Sequence, residues 1–276
     1  MNLRETIIRA LEEDIGSGDV TSEGLLTGGE SGSARAYAKS DLVMAGIDVF
    51  GRVFRTMDKT LQVEPLVNDG NHVKAGDDIA RVSGSLKNIL AAERVALNFL
   101  QRMCGIATMT NRFVKAVEGT EVRILDTRKT APGLRFLDKY AVRVGGGMNH
   151  RFGLDRGVLI KDNHIAAAGG IREAVGRIRK CAPPAFTIEV EVRTFVEVEE
   201  ALDCNVDIIM LDNMTRSEQM EAVRRIGGKA LVEASGNVTL DTVADIAATG
   251  VDFISVGSLT HSVIAADISM VIEKES

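Results

Sequence analysis

Tryptophan is absent from this 276-residue chain, and cysteine, histidine and proline occur only three, four and four times. Cys104, Cys181 and Cys204 are odd in number and lack paired spacing, which argues against a disulfide framework and a Cys-based zinc site. They read as reduced thiols of a cytoplasmic protein. His72, His150, His164 and His261 form no H-x3-H or HExxH pattern, so zinc chemistry is not expected. No apolar run reaches the ~18 residues that a membrane span needs. The first segment, NLRETIIRALEED, lacks a secretory-type apolar stretch and is predicted to be the first helix. A net charge of −6 offers no general attraction for nucleic acid. Glycine, by contrast, is plentiful at 27 residues, which favours sharp turns and loops that approach ligands closely.

Positive charge is concentrated in one place. Residues 123–165 hold nine Arg or Lys against four Asp, about +5, so the rest of the chain is at −11. Arg128, Lys129, Arg143, Arg151 and Lys161 are set among turn residues and short apolar pieces, with His150 beside Arg151. An acidic protein that gathers bases in a Gly-rich stretch is building a pocket for a small polyanion. A basic surface patch is the competing reading.

The first hundred residues read as α+β. A helix is predicted over Leu3–Glu13, a polar loop over Asp14–Ser22, strands at Ser33–Ala45 and Leu61–Val67, and a helix near Val49–Met57. The stretch NDGNHVKAGDDIARVSG reads as a structural hairpin. It resembles that of biotinyl and lipoyl carrier domains but has no lysine in the tight turn. A long helix is predicted from about Leu86 to Met103.

From about Gly105 the pattern becomes alternating βα units. Apolar runs end in polar residues at Asp126, Lys161, Glu191, Asp212, Ser235 and Ser255. Thr194 to Glu197 and Thr215 to Glu218 have capping-box spacing, and Gly227 and Gly250 suit helix C-termini. No GxGxxG turn opens the first unit. The regular units therefore favour an incomplete TIM-like barrel, whose strand ends converge on one mouth. There the early strands bring bases suited to carboxylates or phosphate. Glu191 and Asp212 bring carboxylates suited to Mg²⁺ or ribose hydroxyls, and the last two strands bring small residues suited to a phosphate.

The segment LDTRKTAPGLRFLDKYAVRVGGGMNHRFGLDRGVLIKDNHI closely resembles the central part of the quinolinate phosphoribosyltransferase family. LEEDIGSGDVTS, ERVALNFLQRMCGIAT, IEVEV, MLDNM, EASGN and ISVGSLTHS extend the resemblance, in order, over nearly the whole chain. It implies an N-terminal α/β sandwich domain over 1–104, with residues 263–276 packing back on it. It also implies an open, about seven-stranded α/β barrel over 105–262. The implied reaction joins quinolinate to phosphoribosyl pyrophosphate with Mg²⁺, giving nicotinate mononucleotide, pyrophosphate and CO₂. By resemblance, Arg128, His150, Arg151 and Lys161 would hold the dicarboxylate, with Lys129 between the two substrates and Thr127 also binding substrate. Glu191 and Asp212 would take ribose hydroxyls, directly or through Mg²⁺. Ser235, Gly236, Asn237, Ser255, Val256, Gly257 and His261 would line the phosphate end. Arg94 would enter from a partner subunit of a homodimer or a multiple of dimers. Arg135, Arg143 and His164 are read as packing or capping residues. The rival readings are a molybdenum-gene-associated relative of the family and a non-catalytic pyridine-carboxylate binder.

Overall fold

The computed structural model describes residues 2–273. Two compact units emerge, one comprising 2–111, 131–146 and 262–273, the other 112–130 and 147–261. Residues 105–111 and 131–146, beyond the expected division at 104/105, pack with the first unit. Residues 274–276 of the expected returning tail lie outside the described residues.

The first unit is built on an antiparallel sheet. Its strands are β1 (Ser31–Ala38), β3 (Gln62–Pro65), β5 (Asp78–Ser85) and β12 (Ile268–Glu273), in the order β12-β1-β5-β3. Along β1, Ala34, Ala36 and Ala38 are buried while the residues between them are not, the period of two that marks a half-buried strand. β2 (Leu42–Val43) pairs with β4 (His72–Val73), and β5 pairs with β1 and β3. The NDGNHVKAGDDIARVSG stretch is thus not a hairpin, because its two strands find separate partners. The expected loop over Asp14–Ser22 contains the start of a helix, Val20–Leu25, whose first amides are capped by Asp19.

The helix Leu86–Ala116 runs 31 residues, well past the expected end at Met103. Gly105, which looked like a break, is needed for packing. A Cβ there would collide with the backbone oxygen of Ile264. The same helix is tied to the helix Arg135–Val144 by Arg102, which donates from Nε and a terminal nitrogen to Asp138 at 2.9 and 2.8 Å. Asp138 is fully buried and also accepts from the Ala131 amide at 3.1 Å.

The second unit is a six-stranded, all-parallel sheet. β6 (Arg123–Leu125), β7 (Val158–Ile160), β8 (Ile188–Val192), β9 (Ile208–Asp212), β10 (Leu231–Ser235) and β11 (Phe253–Ser255) lie in the order β6-β11-β10-β9-β8-β7. Consecutive strands β6 and β7 lie at opposite ends of this order, which leaves the barrel-like unit open. Six strands form among the described residues, rather than about seven. At the remaining place Met148 makes only a single parallel bridge to Leu125. Both predicted capping boxes are present, at Thr194–Glu197 and Thr215–Glu218, and Gly227 closes the helix Arg216–Ile226 in the left-handed conformation.

Replacing Arg102 by Leu would leave the Asp138 carboxylate buried without its counter-charge. We expect chemical denaturation to show a loss of roughly 3–5 kcal/mol. A loss below about 1 kcal/mol would mean that water or another base reaches Asp138.

Candidate active site

The alternation of side chains along a strand decides what faces the cleft at the strand ends. In TIEVEVR the residues Ile188, Val190 and Val192 are buried apolar, and Glu189, Glu191 and Arg193 share the opposite parity. In β10, Glu233 and Ser235 share a face in the same way. The register sets Glu191 beside Met210, Met210 beside Glu233, and Ser235 beside Asp212. The resulting cleft has a volume of about 830 Å³. It is lined by Thr127, Arg128, Lys129, His150, Arg151, Lys161, Glu191, Asp212, Ser235, Gly236, Asn237, Ser255, Gly257 and His261. Arg193, Asn213, Glu233, Thr239 and Ser258 also line it and were not foreseen.

Two expected residues are not in this wall. Val256 is buried, and its amide donates to the Leu125 carbonyl at 2.9 Å. Arg94 is exposed on the helix Leu86–Ala116 and does not line the cleft. Asp126, the polar end of β6, is also spent internally. Fully buried, it accepts from Asn149 Nδ2 at 2.6 Å and from the His150 amide at 2.8 Å. His164 accepts the Lys161 amide on Nδ1 at 3.0 Å, a capping role. Arg143 sits over the Tyr140 ring at 5.9 Å.

The basic wall is under electrostatic load. Arg151 donates to the Gly157 carbonyl at 3.1 Å, but its Nε is buried without a hydrogen-bond partner. Burial lowers the Arg151 pKa, and the neighbouring Arg128 charge lowers it further, against the pull of Glu189. Guanidiniums that repel each other in a half-buried wall are a site prepared for an anion.

The floor is acidic. His150 Nδ1 accepts the Arg151 amide at 2.7 Å, which puts the ring proton on Nε2, 3.1 Å from Glu189 Oε2 and 3.8 Å from Glu233 Oε2. Both ring nitrogens are therefore directed at protein groups. Glu189 and Glu233 are 4% and 1% exposed, and each has an Oε1 without a hydrogen-bond partner. Burial, and then repulsion from Glu189, pushes the Glu233 carboxyl up to about 8. These three side chains could hold a metal by their spacing. In so dry a place a proton on Glu233 balances the charge with no loss of hydration.

The far wall carries a mixed network. Lys161 Nζ donates to Glu191 Oε2 at 2.7 Å, rather than standing free for a dicarboxylate. Arg193 bridges Asp212 at 2.9 Å, Asp162 at 3.1 Å and Glu191 at 3.5 Å. Asn213, in the left-handed conformation, donates to Asp212 at 2.9 Å and accepts from Asn237 at 3.0 Å. Thr260 Oγ1 donates to the Lys129 carbonyl at 2.9 Å and fixes the turn that presents that lysine.

Because the folded-state pKa of Glu233 lies above its ordinary 4.5, the native state binds the extra proton. Its contribution to stability is full below the unfolded value and is lost as pH rises toward 8. The thermal midpoint should therefore fall between about pH 5 and pH 8.5, and less steeply in Glu233→Gln. Parallel pH profiles for the two proteins would show that Glu233 is already ionised in the fold.

Comparison with known proteins agrees along the whole chain. Residues 19–104 match the family described as quinolinate phosphoribosyl transferase, N-terminal domain, and 106–271 match its C-terminal domain. A probable nicotinate-nucleotide pyrophosphorylase (carboxylating) of Bacillus subtilis is 42% identical over 270 residues, 98% of this chain and 93% of that one. A mitochondrial quinolinate phosphoribosyltransferase (decarboxylating) of Nicotiana tabacum is 46% identical over 293 residues, covering 99% and 83%. Among solved structures, nicotinate-nucleotide pyrophosphorylase from Ehrlichia chaffeensis superposes with TM-score 0.95 at 42% identity, covering 99% of both chains. NadC from Streptococcus pyogenes gives 0.94 at 39%, covering 99% and 97%. On the strength of both halves of its sequence and of its fold, the chain belongs to the quinolinate phosphoribosyltransferase family.

Proposed function

We propose that this chain transfers the phosphoribosyl group of phosphoribosyl pyrophosphate to quinolinate and releases nicotinate mononucleotide, pyrophosphate and CO₂ for NAD biosynthesis. The observation that carries this reading is one cleft with a strained guanidinium pair, Arg128 and Arg151, and a carboxylate pair, Glu191 and Asp212. The names of the matched relatives support it over a molybdenum-associated enzyme. A pure pyridine-carboxylate binder would have no use for Glu191 and Asp212.

Arg128 and Arg151 hold the two adjacent carboxylates of quinolinate, and the unpartnered Nε of Arg151 gains an acceptor. Thr127 lines the same end. Glu191 and Asp212 take the ribose hydroxyls and lie near the carbon that becomes oxocarbenium-like as pyrophosphate departs. Lys129 sits between the two substrates and opposes the leaving charge. Ser235, Gly236, Asn237, Ser255, Gly257 and His261 surround the phosphate. Glu191 and Asp212 also fit a divalent cation, since a cationic guanidinium already lies against both. Mg²⁺ bound there would neutralise diphosphate charge. The pyridine nitrogen attacks the ribose carbon as pyrophosphate leaves, and the positive charge of the pyridinium so formed stabilises the electron pair that CO₂ leaves on the adjacent ring carbon. A lysine ammonium, Lys129 or Lys161, gives a proton to that ring carbon.

The decisive assay offers purified protein quinolinate or nicotinate with phosphoribosyl pyrophosphate and Mg²⁺, following product and CO₂. Nicotinate lacks one carboxylate and would leave buried bases unpaired, a penalty of roughly 2–5 kcal/mol in kcat/KM. Comparable turnover of the two would overturn the assignment.

Arg94 completes a neighbour's site in our reading, within a homodimer or a multiple of dimers in the cytoplasm. Arg94 and the 38% exposed Leu90 lie four residues apart on one helix, an apolar and charged face suited to a partner. Arg94→Ala is then expected to be inactive yet folded and dimeric. Co-expression with a Lys129→Ala chain should restore part of the activity through hybrids with one intact site. Verified hybrids as inactive as either parent would return Arg94 to its own subunit.

A further inference from the structure

Arg193 has no part in the family resemblance read from the sequence, yet it occupies a decisive place in the cleft. Its guanidinium lies 2.9 Å from Asp212 Oδ2, 3.5 Å from Glu191 Oε1 and 3.1 Å from Asp162 Oδ2. An arginine keeps its proton at any working pH, so Arg193 is a permanent cation beside these carboxylates. Glu191 and Asp212 are 8% and 13% exposed in their side chains, too enclosed to face each other without a counter-charge.

The backbone and side chain of Arg193 are held very differently. Its amide donates at 2.7 Å to Glu197, whose carboxylate also closes the capping box of the helix Phe195–Asp203. The Arg193 main chain is therefore anchored. The side chain is 54% exposed and held by its ion pairs and a hydrogen bond to Asp212. Such a group is free to swing toward solvent once another cation takes its place beside the enclosed carboxylates.

We propose that Arg193 is an exchangeable counter-cation, holding the Glu191–Asp212 pair in the empty site and yielding that place to a divalent cation only when diphosphate enters with it. The inference rests on the reading that Glu191 and Asp212 receive the cation. Its consequence is selectivity. Three carboxylates, Asp162, Glu191 and Asp212, face two bases, Lys161 and Arg193, leaving one net negative charge. A bare divalent ion must displace a guanidinium that has nowhere favourable to go. A diphosphate supplies that destination, because its oxygens accept the guanidinium fork as the carboxylates release it. Metal and diphosphate thus bind cooperatively, and metal alone does not lock the site.

The test measures Mn²⁺ binding by electron paramagnetic resonance, with and without inorganic pyrophosphate, in wild type, Arg193→Gln, Arg193→Lys and Asp212→Asn. We expect Arg193→Gln to bind Mn²⁺ alone roughly tenfold more tightly than wild type, and to lose most of the cooperativity with pyrophosphate. Arg193→Lys, which keeps the charge but not the fork, should fall between them. Unchanged Mn²⁺ affinity and unchanged cooperativity in Arg193→Gln would overturn the proposal and leave Arg193 a surface ion pair. The Asp212→Asn variant isolates the underlying reading. If it binds Mn²⁺ with pyrophosphate as wild type does, the carboxylates do not receive the cation, whatever Arg193 does. Circular dichroism of each variant excludes misfolding as the cause of a change.

Discussion

Charge at the end of a parallel sheet must be balanced within a few ångströms, and the second unit is organised around that need. Alternation along β8 and β10 aims Glu189, Glu191 and Glu233 into the same space, where all three are less than a tenth exposed. Unbalanced, each would cost several kcal/mol in desolvation. Lys161 answers Glu191 and Arg193 answers Asp212, while Glu189 is met by the Nε2 proton of His150. Glu233, with His150 at 3.8 Å, is pushed up to about 8 by burial and by repulsion from Glu189, and takes up a proton instead. Without these pairings the apolar outer faces of the strands could not hold the carboxylates at the centre of the unit.

The opposite wall is deliberately unbalanced. Burial and then the Arg128 charge depress Arg151, and a buried donor of Arg151 lacks an acceptor. The scaffold holds this arrangement in place through Asp126, a buried anion that fixes the amide of His150, and through His150 itself, which fixes the amide of Arg151. Fixed charge of one sign, held in place by the scaffold, is how a preorganised site gains affinity for a counter-charge without moving.

Much of this was legible in the chain. The strand ends could be placed because each apolar run stops at a polar residue, and the capping boxes marked where the helices begin. Glu189 and Glu233 were missed for a physical reason. Charged residues alternating with Val or Ala look like the wet face of an ordinary strand, whereas a barrel-like sheet turns that face inward. Arg193 was missed because one arginine after a strand usually means a solvated end. The helix through Gly105 was cut short because glycine signals termination. Here it marks the close approach of the Ile264 backbone. His150 and Lys161 were correctly placed in the cleft, but sequence could not show that protein groups already claim their nitrogens.

The small residues at the ends of β10 and β11 matter for geometry as much as for ligand access. Gly236 has φ +104, and a Cβ there would collide with the Asn213 side chain. Asn213 in turn holds Asp212 and is held by Asn237, both asparagines being in the left-handed conformation. A chain of hydrogen bonds therefore runs from a carboxylate assigned to the ribose to the loop assigned to the phosphate, and it closes only if position 236 is bare. Gly257 is constrained similarly, with the His261 ring 3.1 Å and the Lys129 side chain 3.4 Å from where its Cβ would stand. The two loops thus couple the spacing of the phosphate end to the placement of Asp212 and Lys129. That coupling fixes the relative placement of Asp212, Asn213 and Asn237 at the mouth of the cleft.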